Sequence, residues 1–161
     1  MPAPPPPPDV ARTIRLSAGQ RVLLPVLLLV VSLAMAGAFG ESTVATRVTS
    51  GALDLRVRCP ARLRYRQSQS LMVEVRNAGR TRLEAVRVGL DAAYLSHFAA
   101  VRVMPPEQDA ATVVLGALDP GASRTLLVEL AGEDYWRHTG TFAVTAGAEA
   151  ARFSCSTLVF P

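Results

Sequence analysis

The stretch from Val22 to Phe39 constrains this chain more than any other feature, because it contains no charged side chain over 18 residues. An α-helix rises about 1.5 Å per residue, so a helix of this length measures about 27 Å. That is just short of the roughly 30 Å hydrocarbon core of a bilayer, a difference that a slightly thinner bilayer would remove. We therefore predict a transmembrane helix over residues 21–39, with the lipid bilayer as its partner.

Basic residues flank this segment closely on one side only. Arg12, Arg15 and Arg21 precede it, whereas the first basic residue beyond it is Arg47. The positive-inside rule then predicts a cytoplasmic N-terminus and an exported C-terminal domain. We expect the chain in the cell (inner) membrane, with that domain in the periplasm or outside the cell.

A cleaved signal peptide is the alternative to a retained anchor. Residues 34–36 and 36–38 both have the small-residue pattern of a cleavage site. A long N-terminal region with five consecutive prolines, Pro4 to Pro8, favours the retained anchor, and predicts a disordered, Pro-rich tail over residues 1–20. Both alternatives place the C-terminal domain outside the cytoplasm.

The remaining chain is long enough for one domain. About 120 of the 161 residues follow the apolar segment, which is enough for one core. Residues 40–52 show no apolar periodicity and are predicted to be a linker. All 17 basic residues are arginines, but the net charge of +4 is too small to indicate a nucleic-acid partner.

Alternating apolar residues predict strands from Leu53 onward. The first is expected to end at Pro60, and the run from Leu71 to Val75 is expected to form a hairpin, through the turn Asn77-Ala78-Gly79, with a strand over residues 83–90. Residues 91–98 have helix-like spacing, and further strand-like runs follow. Seven to nine short strands predict a mainly β fold, a single antiparallel sandwich over residues 53–161.

Three motifs in this region resemble bacterial immunoglobulin-like modules of the adhesion-related and surface-repeat type. They are LMVEVRNAG, VVLGALDPGASRTLLVEL and TGTFAVTAG, which together span residues 71–147. The resemblance implies an immunoglobulin-like β-sandwich. It implies little about function, because such modules serve as spacers, adhesion units and accessory subunits.

The two cysteines are predicted to form a disulfide bond. Cys59 ends the first predicted strand and Cys155 lies in the last, and an even pair in an exported domain indicates a disulfide. Two free buried thiols are the alternative.

Two surface features are candidates for binding a partner. Arg62, Arg64 and Arg66 belong to an arginine series that could form a basic face of the sheet. Tyr135, Trp136 and Arg137 combine residue types that are enriched at binding hot spots and, for the two aromatic types, at membrane interfaces. A solvated outer face and a tryptophan that covers the end of its own domain are the structural alternatives.

No catalytic, cofactor-binding or metal-binding motif is present in the sequence. We therefore expect a non-catalytic protein without a cofactor, and we do not expect a small-molecule ligand. The leading hypothesis is an accessory subunit of a larger energy-transducing or transport complex, bound to an integral membrane protein. The alternative is a free-standing surface module for adhesion or ligand binding.

Overall fold

The computed structural model describes residues 17–37, 40–106 and 111–161. The Pro-rich tail predicted over residues 1–20 therefore lies almost wholly outside the described residues. The chain divides into two compact units, Met1–Gly40 and Glu41–Pro161.

The first unit contains helix α1, Ala18–Met35. Its large apolar side chains are exposed, and the hydroxyl of Ser32 donates to the carbonyl of Leu28, which satisfies that polar group within the helix. No helix within the described residues has both the length and the apolar character needed to cross a membrane. The transmembrane helix over residues 21–39 stays a prediction.

The second unit is mainly β, as predicted. Its elements are β1 Ser42–Ser50, β2 Leu53–Arg64, β3 Ser68–Asn77, β4 Leu83–Gly89, α2 Ala92–Leu95, β5 Phe98–Met104, β6 Thr112–Leu118, β7 Ser123–Gly132, β8 Trp136–Ala146 and β9 Glu149–Phe160. Helix α2 falls within the segment predicted to be helical, and its N-terminus is capped by Asp91, whose side chain accepts from the N–H of Tyr94.

The strands form one hydrogen-bonded path in the order β5-β7-β3-β2-β9-β8-β4-β6, with β1 paired to β2. Strand β2 lies in the middle of this path, between the strands β5, β7 and β3 on one side and β9, β8, β4 and β6 on the other. Its first half pairs antiparallel with β3, and its last residues, 62–64, pair parallel with β9. The sheet therefore curls around a change of partner in β2, and this arrangement resembles immunoglobulin-like domains.

One core fills the curl. Buried residues from both halves of the path, such as Leu55, Val73, Val128, Phe142 and Phe153, belong to a single hydrophobic cluster. The predicted disulfide between Cys59 and Cys155 is confirmed, with Cα atoms 5.7 Å apart. It joins β2 to β9 beside the point where β2 changes partner.

The structure corrects three sequence predictions. Most of the predicted linker over residues 40–52 is strand β1, paired with β2 from Ser42 to Ser50. Pro60 does not end β2, which continues to Arg64. Proline has no backbone N–H to donate, but Pro60 pairs with Thr43 next to a register shift between β1 and β2, and proline is accepted at such irregularities. Strands β3 and β4 do not form a hairpin, since β3 pairs with β2 and β7 while β4 pairs with β6 and β8.

Candidate interaction surface

The two sequence features predicted to bind a partner lie side by side at one end of the β domain. The last residues of β9 run between the end of β2 and the start of β8. In this register Leu158 lies between Arg62 of β2 and Arg137 of β8, and Arg64 lies opposite Phe160. We define the aromatic–arginine surface as Arg62, Arg64, Arg66, Tyr135, Trp136 and Arg137.

The backbone holds the turn after β2 from two sides. The N–H of Tyr65 donates to the carbonyl of Phe160, and the N–H of Arg66 donates to the carbonyl of Gly132, both over 2.8 Å. Gly132 has to be glycine here, because a Cβ would lie 2.9 Å from a methyl carbon of Val159 and 3.2 Å from the carbonyl oxygen of Arg64. The turn therefore presents Arg64 and Arg66 from a fixed backbone.

Aromatic rings support the arginines of this turn. Tyr65 stacks on Tyr135 with ring centroids 4.9 Å apart. The guanidinium carbon of Arg66 lies 5.2 Å from the ring centre of Tyr65, and that of Arg64 lies 5.8 Å from the ring centre of Phe160. Cation–π contacts of this kind keep the charge at the surface while the ring shields the rest of the side chain.

Trp136 is presented to solvent in an unusual backbone conformation. Its side chain is 79% exposed, although tryptophan is usually well buried. Its φ is +86°, a region that costs a non-glycine residue about 1–3 kcal/mol. With Leu158, Phe160 and Pro161, Trp136 lines an almost wholly apolar open cleft of about 420 Å³. An exposed aromatic ring beside an apolar cleft is a typical anchor for a partner.

A second cleft joins this one through a shared residue. Arg62 and Arg137 line a shallow, more polar cleft of about 340 Å³, with Leu158 between them. Because Leu158 also lines the apolar cleft, charged and apolar portions form one continuous surface. The sequence did not indicate Leu158 and Phe160 as part of a binding surface. The alternation in β9 predicts a strand with one buried face, but it does not show what the opposite face, which carries these two residues, lies beside.

The chain enters the β domain at this same end. Strand β1 begins at Ser42, which pairs with Arg62, and Glu41 accepts a hydrogen bond from the side chain of Gln69 over 2.7 Å. The aromatic–arginine surface therefore lies at the end of the domain from which the chain leads back to α1.

The two histidines come together with an acidic residue near this surface. The rings of His97 and His138 stack 4.0 Å apart, and Nδ1 of His97 lies 3.0 Å from Oδ2 of Asp134. Nε2 of His138 lies 3.1 Å from the carbonyl oxygen of Asp134. The sequence places these histidines 41 residues apart, so no spacing rule predicts the cluster. Within residues 17–37, 40–106 and 111–161, no group of three or more His, Cys, Asp and Glu residues is arranged to hold a metal ion.

Two carboxylates with a lowered pKa lie outside the aromatic–arginine surface. The pKa of Asp54 is lowered chiefly by its hydrogen bonds with Arg47, whose Nε and Nη2 atoms each lie 2.7 Å from a carboxylate oxygen. The pKa of Asp91 is lowered by hydrogen bonds from the backbone N–H groups of Thr141 and Tyr94. Both groups are engaged in the structure of the domain itself, which accounts for their perturbation without a catalytic role.

Comparisons with known proteins show similarity in fold only. No protein-family model matches the chain, and no curated protein matches it in sequence. The ASH/PapD-like domain of human CEP192 is 12% identical over 63% of this chain and 78% of that chain, with a TM-score of 0.40. The CARDB domain of a Pyrococcus furiosus protein is 13% identical over 63% and 90%, with a TM-score of 0.41. Domains 4 and 5 of the S-layer protein SbsC are 13% identical over 73% and 48%, with a TM-score of 0.37. Similarity at this level carries no conclusion about activity or partners.

Proposed function

We propose that this chain is a non-catalytic interaction module, anchored in a membrane by residues 22–39, whose β domain is an accessory subunit of a larger membrane assembly. The partner is an integral membrane protein of an energy-transducing or transport complex. The domain lies on the outer side of the membrane, and the N-terminus lies in the cytoplasm.

The short connection between α1 and β1 carries this proposal. Only residues 36–41 separate Met35 from Ser42, and the seven Cα-to-Cα steps between those two residues span about 25 Å at most. Strand β1 is then fixed to β2 by nine antiparallel pairs. An adhesion module has to reach away from its own membrane, whereas a subunit that contacts a neighbouring membrane protein has to stay close to it. The length of the connection favours the second role.

The compartment and the anchor have separate support. Disulfides persist in oxidising compartments outside the cytoplasm, and the Cys59–Cys155 bond fits such a location. Arg21 near the start of α1 and the absence of basic residues between it and Arg47 favour a cytoplasmic N-terminus. The exposed apolar side chains of α1 favour burial in lipid or against another apolar helix.

One observation favours the alternative of a free-standing adhesion or ligand-binding module. The apolar cleft beside Trp136, at about 420 Å³, has the size of a small ligand site. The test of the proposal therefore has to separate the two functions.

Blue-native electrophoresis of gently solubilised membranes provides this test, with a spacer variant. A flexible spacer of about twelve Gly and Ser residues between Gly40 and Glu41 lengthens the connection without changing either unit. We expect the natural chain to migrate with a larger assembly, and the spacer variant to lose a large part of that association. The same spacer inserted after Asp9 is the matched control and should have no effect.

Migration of the natural chain as a small monomer would contradict the accessory role and favour the free-standing module. Recovery of the chain in the non-membrane fraction after an alkaline wash would contradict the anchor itself.

A further inference from the structure

We infer that the aromatic–arginine surface is a binding site for the phosphate groups of anionic lipids, so that this end of the β domain docks on the bilayer surface. The inference rests on the proposed membrane anchor. It adds a ligand class and an orientation that neither the sequence nor the accessory role determines.

The position of this end along the chain favours contact with the bilayer surface. Ser42 pairs with Arg62, so the chain enters the domain beside the arginines of the surface. The connection from Met35 to Ser42 spans about 25 Å at most, so the covalent link to the proposed anchor is made at this end of the domain. The Gly51 and Gly147 turns form the opposite end of the domain, a full β-strand length along β1 and β9 from the aromatic–arginine surface.

The combination of residue types at this end suits a lipid headgroup layer. Arginine binds phosphate in a bidentate manner, and basic residues close to an anionic leaflet are attracted to it. Trp and Tyr prefer the headgroup level of a bilayer, because their rings have an apolar body and a polar edge. Arg66 lies over Tyr65, which stacks on Tyr135, and Arg64 lies over Phe160, which lines the cleft beside the exposed Trp136. Arg137 follows Trp136 in β8.

Charge also supports the inference. Among the described residues, the carboxylates near this end are Glu41, which accepts from Gln69, Glu133, and Asp134, which contacts His97. Four arginines outnumber these three carboxylates, and no Asp or Glu is among the described residues that line the clefts beside Trp136 and Arg137. The surface therefore complements an anionic partner. A fluid lipid layer requires only charge and an amphipathic ring, whereas an acidic protein would require matching shape as well.

The backbone of Trp136 adds a fourth observation. A tryptophan held at φ +86° with its ring in solvent is costly for the isolated domain. Insertion of the ring at the headgroup level would recover part of that cost, because the apolar face would leave water.

The test uses the fluorescence of Trp136, the only tryptophan of the chain. The full chain is reconstituted in nanodiscs of phosphatidylcholine with or without phosphatidylglycerol, and a subset of lipids is brominated near the headgroup end of the acyl chains. We expect a blue shift of the emission and strong quenching in discs with phosphatidylglycerol. High salt should weaken both effects, because it screens the charges.

Matched arginine variants decide whether the surface carries the effect. Each arginine removed should lower the ratio of docked to undocked domain about five-fold, so Arg62, Arg64, Arg66 and Arg137→Gln together should abolish the response to phosphatidylglycerol. The control replaces an equal number of exposed arginines distant from the surface, Arg76, Arg80, Arg87 and Arg124→Gln, and should leave the response unchanged. Far-ultraviolet circular dichroism checks that both variants keep their β structure.

Two outcomes would overturn the inference, and a third would contradict the proposed anchor on which it rests. Emission that is unquenched and independent of lipid charge, in discs that contain the chain, would mean that the surface faces away from the bilayer while the anchor holds. A blue shift that appears only when a co-purified membrane protein is added would assign the surface to a protein partner. Failure of the chain to enter nanodiscs at all would instead contradict the proposed anchor.

Discussion

The two ends of the β domain both carry arginines and polar residues, yet they use them differently. At the end formed by the turns near Gly51 and Asn77, polar groups bind one another. Arg47 donates two hydrogen bonds to the carboxylate of Asp54, and the carboxylate of Glu149 accepts from the N–H of Ala52. At the other end, Arg64 and Arg66 lie over aromatic rings, and Trp136 is exposed. The polar groups of the first end bond to one another, whereas the second end exposes Trp136 and its ring-supported arginines to solvent. Arginine content alone does not distinguish them; the partner of each arginine does.

The largest loss of stability is expected on removal of the disulfide, which lies between the two ends. Replacing both Cys59 and Cys155 by Ala removes a cross-link with a sequence separation of 96. Loss of a link of this span should lower the free energy of unfolding by up to about 4.7 kcal/mol in the chain-entropy model, and typically by 2–4 kcal/mol. Chemical denaturation of the natural and variant chains measures the difference.

An unchanged free energy of unfolding would mean that the disulfide does not restrain the unfolded chain. Mass spectrometry of a non-reduced digest, which should show the two peptides linked, is the control for the state of the starting protein.

Asn77→Ala should be a strongly destabilising polar change at the internally bonded end. The side chain is fully buried, donates to the carbonyls of Thr81 and Leu118, and accepts from the N–H of Gly79. Leaving buried carbonyls unpaired should cost about 1–3 kcal/mol of unfolding free energy. Trp136→Ala at the other end should cost much less than Asn77→Ala, because the ring is exposed. Urea denaturation measures both losses of unfolding free energy. Equal losses for the two variants would contradict the view that one end is bonded internally and the other is not.

The stability of the domain should fall in acid through Asp54 and Asp91. The pKa of each is lowered in the folded chain, by Arg47 and by backbone N–H groups respectively, relative to an unfolded value near 3.8. Their contribution is therefore present above pH 4 and is lost as the pH falls through the lowered folded values. Melting temperatures between pH 6 and pH 2 measure this.

The variant Arg47→Gln makes the test specific. It removes the first cause of the shift at Asp54, so the variant should be less stable at neutral pH and should lose less stability between pH 6 and pH 2 than the natural chain. Identical profiles would show that the Arg47–Asp54 pair does not contribute to acid sensitivity.

The smallest difference in stability is expected from relief of the backbone strain at Trp136. Trp136→Gly and Trp136→Ala both remove the ring, but only glycine adopts φ +86° without strain. We expect the glycine variant to be more stable than the alanine variant by about 1 kcal/mol. Thermal unfolding of the two variants compares them directly, and an alanine variant of equal or greater stability would argue that the backbone relaxes when the ring is absent.

Sequence patterns predicted the strands that line the core and the disulfide, because both depend on the alternation of buried residues. They missed β1, since an edge strand with both faces mostly exposed has no such alternation. They also predicted a hairpin after Asn77, because local turn signals do not reveal that Asn77 binds Leu118, 41 residues later.

The candidate surface was predicted in two parts and not as one. Arg62 and Trp136 are separated by 74 positions in the sequence, and only the pairing of β9 with both β2 and β8 brings their regions together. Residue type indicated which side chains to consider, whereas their adjacency depends on long-range strand register that no local pattern encodes.

Photo-crosslinking in native membranes tests most directly whether only one end of the domain meets a partner. Benzoylphenylalanine is introduced in place of Trp136, or in place of the exposed Arg80 near the internally bonded end, and the full chain is illuminated. The account predicts adducts to lipid or to a membrane protein at position 136 and little above background at position 80. Adducts at position 80 as frequent as those at position 136, or more so, would contradict it.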